Sequence, residues 1–180
     1  MLKNTADTYG SLAKTFHWLL FLLLAVAIVM GNLLAAMPKG VEKFEAAGMH
    51  KSFGAILLML ILLRLLWRLL NASPALPDGT SNGQAMLAKG MHWMLYALML
   101  AQPLSGILMS QAGGFAVSFF GLFEFPVFMD KDPALASFFR GMHGTVWILL
   151  VLAVLGHAGA ALHHHFVRKD KVLKQMLPGT

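Results

Sequence analysis

The chain has 180 residues, of which 58% are hydrophobic and only 12% are charged, about half the charged share of an ordinary soluble domain. Its mean hydropathy is +0.68. Water cannot be the main solvent of a chain this size and this apolar. The 14 Lys and Arg against 8 Asp and Glu give a net +6, which in such a chain points to membrane orientation rather than to nucleic acid. Cysteine is absent, excluding disulfides, zinc-thiolate sites, cysteine-ligated clusters and covalently attached c-type haem. The length suits a single domain over residues 1–180.

A membrane-spanning helix needs about 20 mostly apolar residues. Lys14 and Lys39 bracket 24 residues without a charge, and Arg140 and Arg168 bracket 27. Lys89 and Glu124 bracket 34, enough for one span and an outer loop. Between Lys51 and Arg64 only 12 residues are uncharged. The apolar pattern nevertheless continues through Arg64 and Arg68 to Leu70, and long Arg side chains can snorkel to an interface. These runs predict an all-α integral membrane bundle of four spans, at about 16–36, 49–70, 90–111 and 142–166. The first run is too long for the apolar stretch of a signal peptide and is expected to be retained.

Four spans put both termini on one side. That side carries nine Lys and Arg (Lys3, Lys14, Arg64, Arg68, Lys89, Arg168, Lys169, Lys171 and Lys174) and three acidic residues. The other side carries five of each. The positive-inside bias predicts cytoplasmic termini. Segment 71–89, with Asn71, Ser73, Pro74, Pro77, Asp78 and Gly79, reads as a turn-rich loop, and segment 37–48 as a short linker of mixed charge. Segment 112–140 holds eight of the 13 Phe. It reads either as an aromatic segment lying in the outer interface or as a lid over an outer site.

All eight His lie in or beside apolar stretches, where an ionisable side chain is costly and marks a functional suspect. His143 and His157 are 14 residues apart, so they share one face of span four and stand about 21 Å apart along its axis. Depth then pairs the histidines. His50 opens span two on the outer side, level with His143. His17 opens span one on the inner side, level with His157. Two layers of facing imidazoles suggest two b-type haems stacked across the bilayer, held axially by His in a four-helix bundle. Gly141, Gly144, Gly156, Ala158 and Gly159 leave room for a macrocycle, or serve close helix packing. If two haems are present, the outer pair must be His50 and His143. The inner pair stays open, since His92 and His164 also reach that depth. Arg64 and Arg68 either neutralise haem propionates or anchor the span to headgroups. Lys51 and Arg140, beside the outer layer, suit propionates or an anionic reactant. No His-Glu-x-x-His motif is present, and the spans contain no acidic residue. This speaks against a zinc protease, a carboxylate di-iron bundle and a Ser-His-Asp site.

The ordered set of His17-Trp18, His50-Lys51-Ser52-Phe53-Gly54, Arg64 and Arg68, His92 with Tyr96, Pro103-Leu104-Ser105-Gly106, His143, His157, His164-His165-Phe166 and Lys169-Asp170 through Met176-Leu177-Pro178 resembles the bacterial cytochrome b561 family. The similarity runs over about residues 9 to 178, and segment 112–140 is its least family-like part. The resemblance implies two haem b groups, with axial pairs His17/His157 inside and His50/His143 outside. It also implies electron exchange with ubiquinone in a bacterial inner membrane. Similar members are described as superoxide oxidases, in which superoxide yields its electron on the outer side and quinone is reduced. On that basis Lys51 and Arg140 are expected to serve the anion and His92 to stand near quinone or a proton route. No obligatory protein partner is expected. A relay subunit for a separate dehydrogenase or hydrogenase, and a haem-free transporter using membrane His, are the competing expectations.

Overall fold

The computed structural model describes residues 1–77 and 79–179; Asp78, counted above within the turn-rich loop, lies outside them. Four long helices dominate: α1 (Ser11–Ala36), α2 (Val41–Leu70), α3 (Asn82–Ala112) and α4 (Pro133–His163). All four are long and apolar enough to cross a membrane. Only 6–22% of each apolar window is buried, so most large apolar side chains face outward, as they must when lipid is the solvent.

The first three spans lie inside longer helices, the fourth runs three residues past the end of α4, and at α3 and α4 a side-chain cap sets the early start. At α3, the Ser81 hydroxyl accepts from the Gln84 backbone N–H while the Gln84 side chain accepts from the Ser81 N–H. This reciprocal cap starts the helix eight residues before Gly90. At α4, the Asp132 carboxylate accepts from the N–H groups of Ala134 and Leu135 at 2.8 and 3.1 Å, with Pro133 in the first turn, the position proline tolerates best. Residues 41–48, expected as linker, are instead the first two turns of α2, with Glu42 near its positive end. Residues 133–140, expected in the outer loop, belong to α4.

The helices pack in sequence, α1 on α2, α2 on α3, and α3 on α4. Leu20, Ala27, Leu57, Ile61 and Tyr96 form one buried cluster joining the first three helices. Leu95, Leu150 and Ala153 form a second between α3 and α4. Among the described residues, α4 makes no comparable seam with α1 or α2. It is held mainly against α3, with Leu24 of α1 packed on the cluster that α3 and α4 share.

Between α3 and α4 the chain forms a two-stranded hairpin, β1 (Ser118–Phe119) and β2 (Phe123–Glu124). Beyond α4, His164–Arg168 form a π-helical turn that ends at Lys169 in the left-handed region, φ 55°. Asp170 then sits 2.6 Å from His164 Nδ1 and 4.0 Å from Arg168 Nε. Burial pushes the Asp170 carboxyl up, but hydrogen bonds from His164 and the Val172 N–H, with the charges of His164 and Arg168, hold it below the usual carboxylate range. The tail folds back over the N-terminal segment. Trp18 Nε1 donates to the Met176 carbonyl at 2.9 Å, and Gln175 Nε2 donates to the Asp7 carbonyl at 2.7 Å. Ala75 N–H donates to the Ala6 carbonyl at 2.9 Å, so both termini and the 71–77 segment gather at one end of the bundle.

Ile61 is 2% exposed at the meeting point of three helices. Ile61→Ala should cost about 2 kcal/mol through lost packing, read as a lower midpoint in a detergent-denaturation titration. Leu69→Ala, on the lipid-exposed surface, should leave that midpoint nearly unchanged.

Candidate functional site

The bundle gathers its histidines at two levels. At the end away from the termini, His50 of α2 and His143 of α4 face each other with ring centroids 6.4 Å apart and planes at 87°. At the other end, His17 of α1 and His157 of α4 face each other at 6.1 Å. Both pairs stand across the side of α4 that lacks a seam with α1 and α2. Two metal–imidazole bonds of about 2.0–2.1 Å each, plus about 1.1 Å from each ring nitrogen to its centroid, require roughly 6.3 Å between centroids. Both pairs meet that span. His92 stands 5.4 Å from His157, shorter than a shared metal requires. His164 is drawn off to Asp170.

The outer pair is shaped by two glycines. A Cβ on Gly106 would lie 3.2 Å from His143 Cε1, and one on Gly31 would lie 3.3 Å from His50 Cε1. Both rings need the bare backbone opposite. His143 Nδ1 donates to the Gln102 carbonyl at 2.9 Å, with Ser105 Oγ at 3.0 Å. That places the proton on Nδ1 and leaves a lone pair on Nε2, the arrangement a metal-ligating histidine requires. The Gln102 side-chain amide nitrogen lies 3.0 Å from Nε2. Pro103 removes one backbone donor from this part of α3. His50 Nδ1 is buried without a hydrogen-bond partner, an arrangement that costs about 1–3 kcal/mol unless something else binds the nitrogen.

The inner pair has cationic surroundings. Arg64 Nη2 donates to His17 Nδ1 at 3.0 Å. Arg64 and Arg68 both turn into the bundle, their guanidinium carbons 5.8 and 5.7 Å from the Tyr96 ring centroid. Arg68 also lies 5.9 Å from the Trp93 ring centroid. They pack over aromatic faces of α3.

Lys51 and Arg140 are not brought together. Lys51 Nζ donates to Ser110 Oγ at 3.3 Å and to the Ala116 carbonyl at 3.0 Å, tying α2 to the chain after α3. Arg140 is exposed, one turn before His143 on α4. Sequence reasoning assigned no role to Gly31, Gly106, Gln102 or Ser105. The Pro103-Leu104-Ser105-Gly106 run carried the signal for two of them, but nothing in one sequence ties α3 to a ring on α4.

Among the described residues no three His, Asp or Glu converge to cage an ion. The donors come as opposed neutral imidazoles, the set for a metal whose remaining positions a macrocycle fills. With the ring spacing, the Nδ1 proton of His143 fixed by the Gln102 carbonyl, the buried unpartnered Nδ1 of His50 and the glycine recesses, this donor set fits haem.

Residues 8–179 match the family model described as prokaryotic cytochrome b561. The chain belongs to the prokaryotic cytochrome b561 family. It is 34% identical over 97% of its length to "Cytochrome b561 homolog 2" of Escherichia coli K12, covering 93% of that protein. It is 29% identical to "Cytochrome b561 homolog 1" of the same organism, over 90% of this chain and 92% of the other. It is 30% identical to "Probable superoxide oxidase CybB" of Yersinia pestis, over 94% and 96%. The cytochrome b561 membership implies haem b binding, electron transfer and a multi-pass place in a bacterial membrane.

Gly106→Val should push His143 away and lower the haem retained per purified chain to about half. A haem-to-protein ratio taken from the absorbance spectrum and a protein assay measures this. Full retention would show that the recess is not needed.

Proposed function

We propose that this cytochrome b561 carries two haems, at His50/His143 and His17/His157, and moves electrons from superoxide outside to ubiquinone. The two imidazole pairs, at 6.4 and 6.1 Å on opposite ends of one helix face, carry the reading. The superoxide assignment rests on the printed name of the Yersinia pestis relative. The excess of Lys and Arg at the terminal end supports cytoplasmic termini in an inner membrane, which puts the His50/His143 level outside.

Bound haem supplies one-electron redox chemistry at each level. Two superoxide anions each give up one electron and leave as dioxygen; one quinone takes both electrons and two protons. The chain's own residues set the direction. Arg140 and Lys51 place cations at the outer end, where an anion arrives. His143 keeps its proton on Nδ1 through the Gln102 carbonyl, so Nε2 carries the lone pair and would ligate once the Gln102 side-chain amide, 3.0 Å away, turns aside. His17 must give up its contact with Arg64 to ligate, because a guanidinium only donates and occupies the ring's lone pair. Arg64, once released, would be free to hold a propionate of a haem bound there. Two cations near the inner pair, Arg64 and Arg68, then favour negative charge on that side. To His92, 5.4 Å from His157 and not counted among the axial pairs, we assign the quinone or proton-delivery role.

Proteoliposomes containing ubiquinone test the reading: superoxide should reduce quinone in proportion to the protein present. Arg140→Glu should slow superoxide-driven haem reduction several-fold at low ionic strength and flatten its salt dependence. An unchanged rate and slope would remove the steering role.

His92→Ala should keep full haem content and lose most quinone reduction. Normal quinone reduction in that variant would discard its role.

A further inference from the structure

We propose that residues 113–132 form a wedge set into the outer leaflet, with lipid acyl chains as the partner of its apolar side and Ser52 as the latch that holds it. The first observation is depth. Ser52 is sixteen residues from Arg68, about 24 Å along the α2 axis at 1.5 Å per residue, inside the roughly 30 Å apolar core of a bilayer. The hairpin docks at this level: Ser52 Oγ accepts from the Phe120 N–H at 2.9 Å and lies 3.0 Å from the Ser118 carbonyl. Ser52 is 1% exposed.

The second observation concerns the backbone. Irregular chain at membrane depth must have its polar groups satisfied by protein. Gln111, also 1% exposed, donates through Nε2 to the Pro126 carbonyl at 3.0 Å and accepts from the Phe128 N–H at 3.0 Å. The Phe125 N–H donates to the Val117 carbonyl at 2.9 Å, and the Leu122 N–H to the Phe119 carbonyl at 2.9 Å. Lys51 Nζ meets the Ala116 carbonyl. The turn itself is strained. Phe120 and Gly121 both have positive φ, 51° and 74°, as a type I′ turn requires. A phenylalanine there costs about 1–2 kcal/mol. The Ser52 bond to Phe120 N and the Phe53 ring, 5.8 Å from the Phe120 ring, hold it against that cost.

The third observation is what faces outward. From Phe115 to Met129 the sequence has one charge, Glu124. Leu122 is 79% exposed, Val127 65%, Phe128 63% and Phe123 52%. This surface continues the exposed apolar side chains of α2, with Phe115 6.3 Å from Phe44. Aromatic side chains at this level are the ordinary occupants of a membrane interface. Around the α2 axis, Ser52 lies two residues, about 200°, from His50. The hairpin therefore anchors nearly opposite the ring pair instead of covering it.

The chain contains no cysteine, so Leu122→Cys and Val127→Cys can each carry a single nitroxide label in proteoliposomes. Power saturation with oxygen and with a water-soluble nickel chelate reads immersion. Both labels should be relaxed more strongly by oxygen, as at Met59→Cys on the lipid side, whereas Lys39→Cys should favour nickel. Nickel-favoured relaxation at 122 and 127 overturns the proposal, whether the segment lies in water or over the outer pair. Protection from both reagents also overturns it, since that requires a protein cover. Ser52→Ala should raise the mobility of the label at 122. An unchanged line shape would overturn the latch.

Discussion

The architecture depends on one constraint: α4 packs on α3 but stands off from α1 and α2, while its single face presents an imidazole to each. Leu150 and Ala153 bury against Leu95 of α3, and His143 and His157, seven residues to either side of Leu150, share its face and reach His50 of α2 and His17 of α1. A helix that binds one neighbour by packing can then bind two others through a shared ligand.

The two levels are built from different chemistry. At the end away from the termini, His143 is oriented by a backbone carbonyl and a hydroxyl, and the rings are seated on glycine backbone at Gly31 and Gly106. These contacts fix a tautomer and a ring position without adding charge. At the terminal end, Arg64 and Arg68 stack over Tyr96 and carry full positive charge to the ring layer. The cations differ in the same way: Arg64 and Arg68 pack on aromatic rings beside the His17/His157 pair, whereas Lys51 is tied to Ser110 and Ala116 and Arg140 is exposed. The folded tail, tied by Trp18, Gln175 and the Asp170–His164 contact, closes the cationic end.

Much of this was legible in the sequence because apolar length and helical periodicity are local. The four spans and the shared face of His143 and His157 follow from counting residues along one helix. Antiparallel threading then matched His50 to His143 by depth. What counting left open was any choice made across helices. His17, His92 and His164 share a depth; in the fold His17 stands 6.1 Å from His157 and His92 5.4 Å, while His164 turns to Asp170. The recess glycines were hidden for the same reason. Glycines beside the span-four ligands drew attention, and a Cβ on Gly141, Gly144 or Gly159 meets only open space within 4 Å, which speaks against close helix packing there and not against room for a macrocycle. The glycines that matter sit on α1 and α3, opposite the rings. Helix ends were misjudged where polar caps such as Ser81 and Asp132 extend a helix beyond its apolar run. The hairpin was out of reach because its anchors, Ser52 and Gln111, lie on two different helices.

The central claim is that two imidazole pairs on one face of α4 each hold a haem. It is tested most directly by counting haem per chain, by pyridine haemochrome assay, in the intact protein and in His143→Ala and His157→Ala. The account predicts two per chain, falling to one in each variant with the other chromophore's absorbance retained. A single haem in the intact protein, or two in either variant, would contradict it.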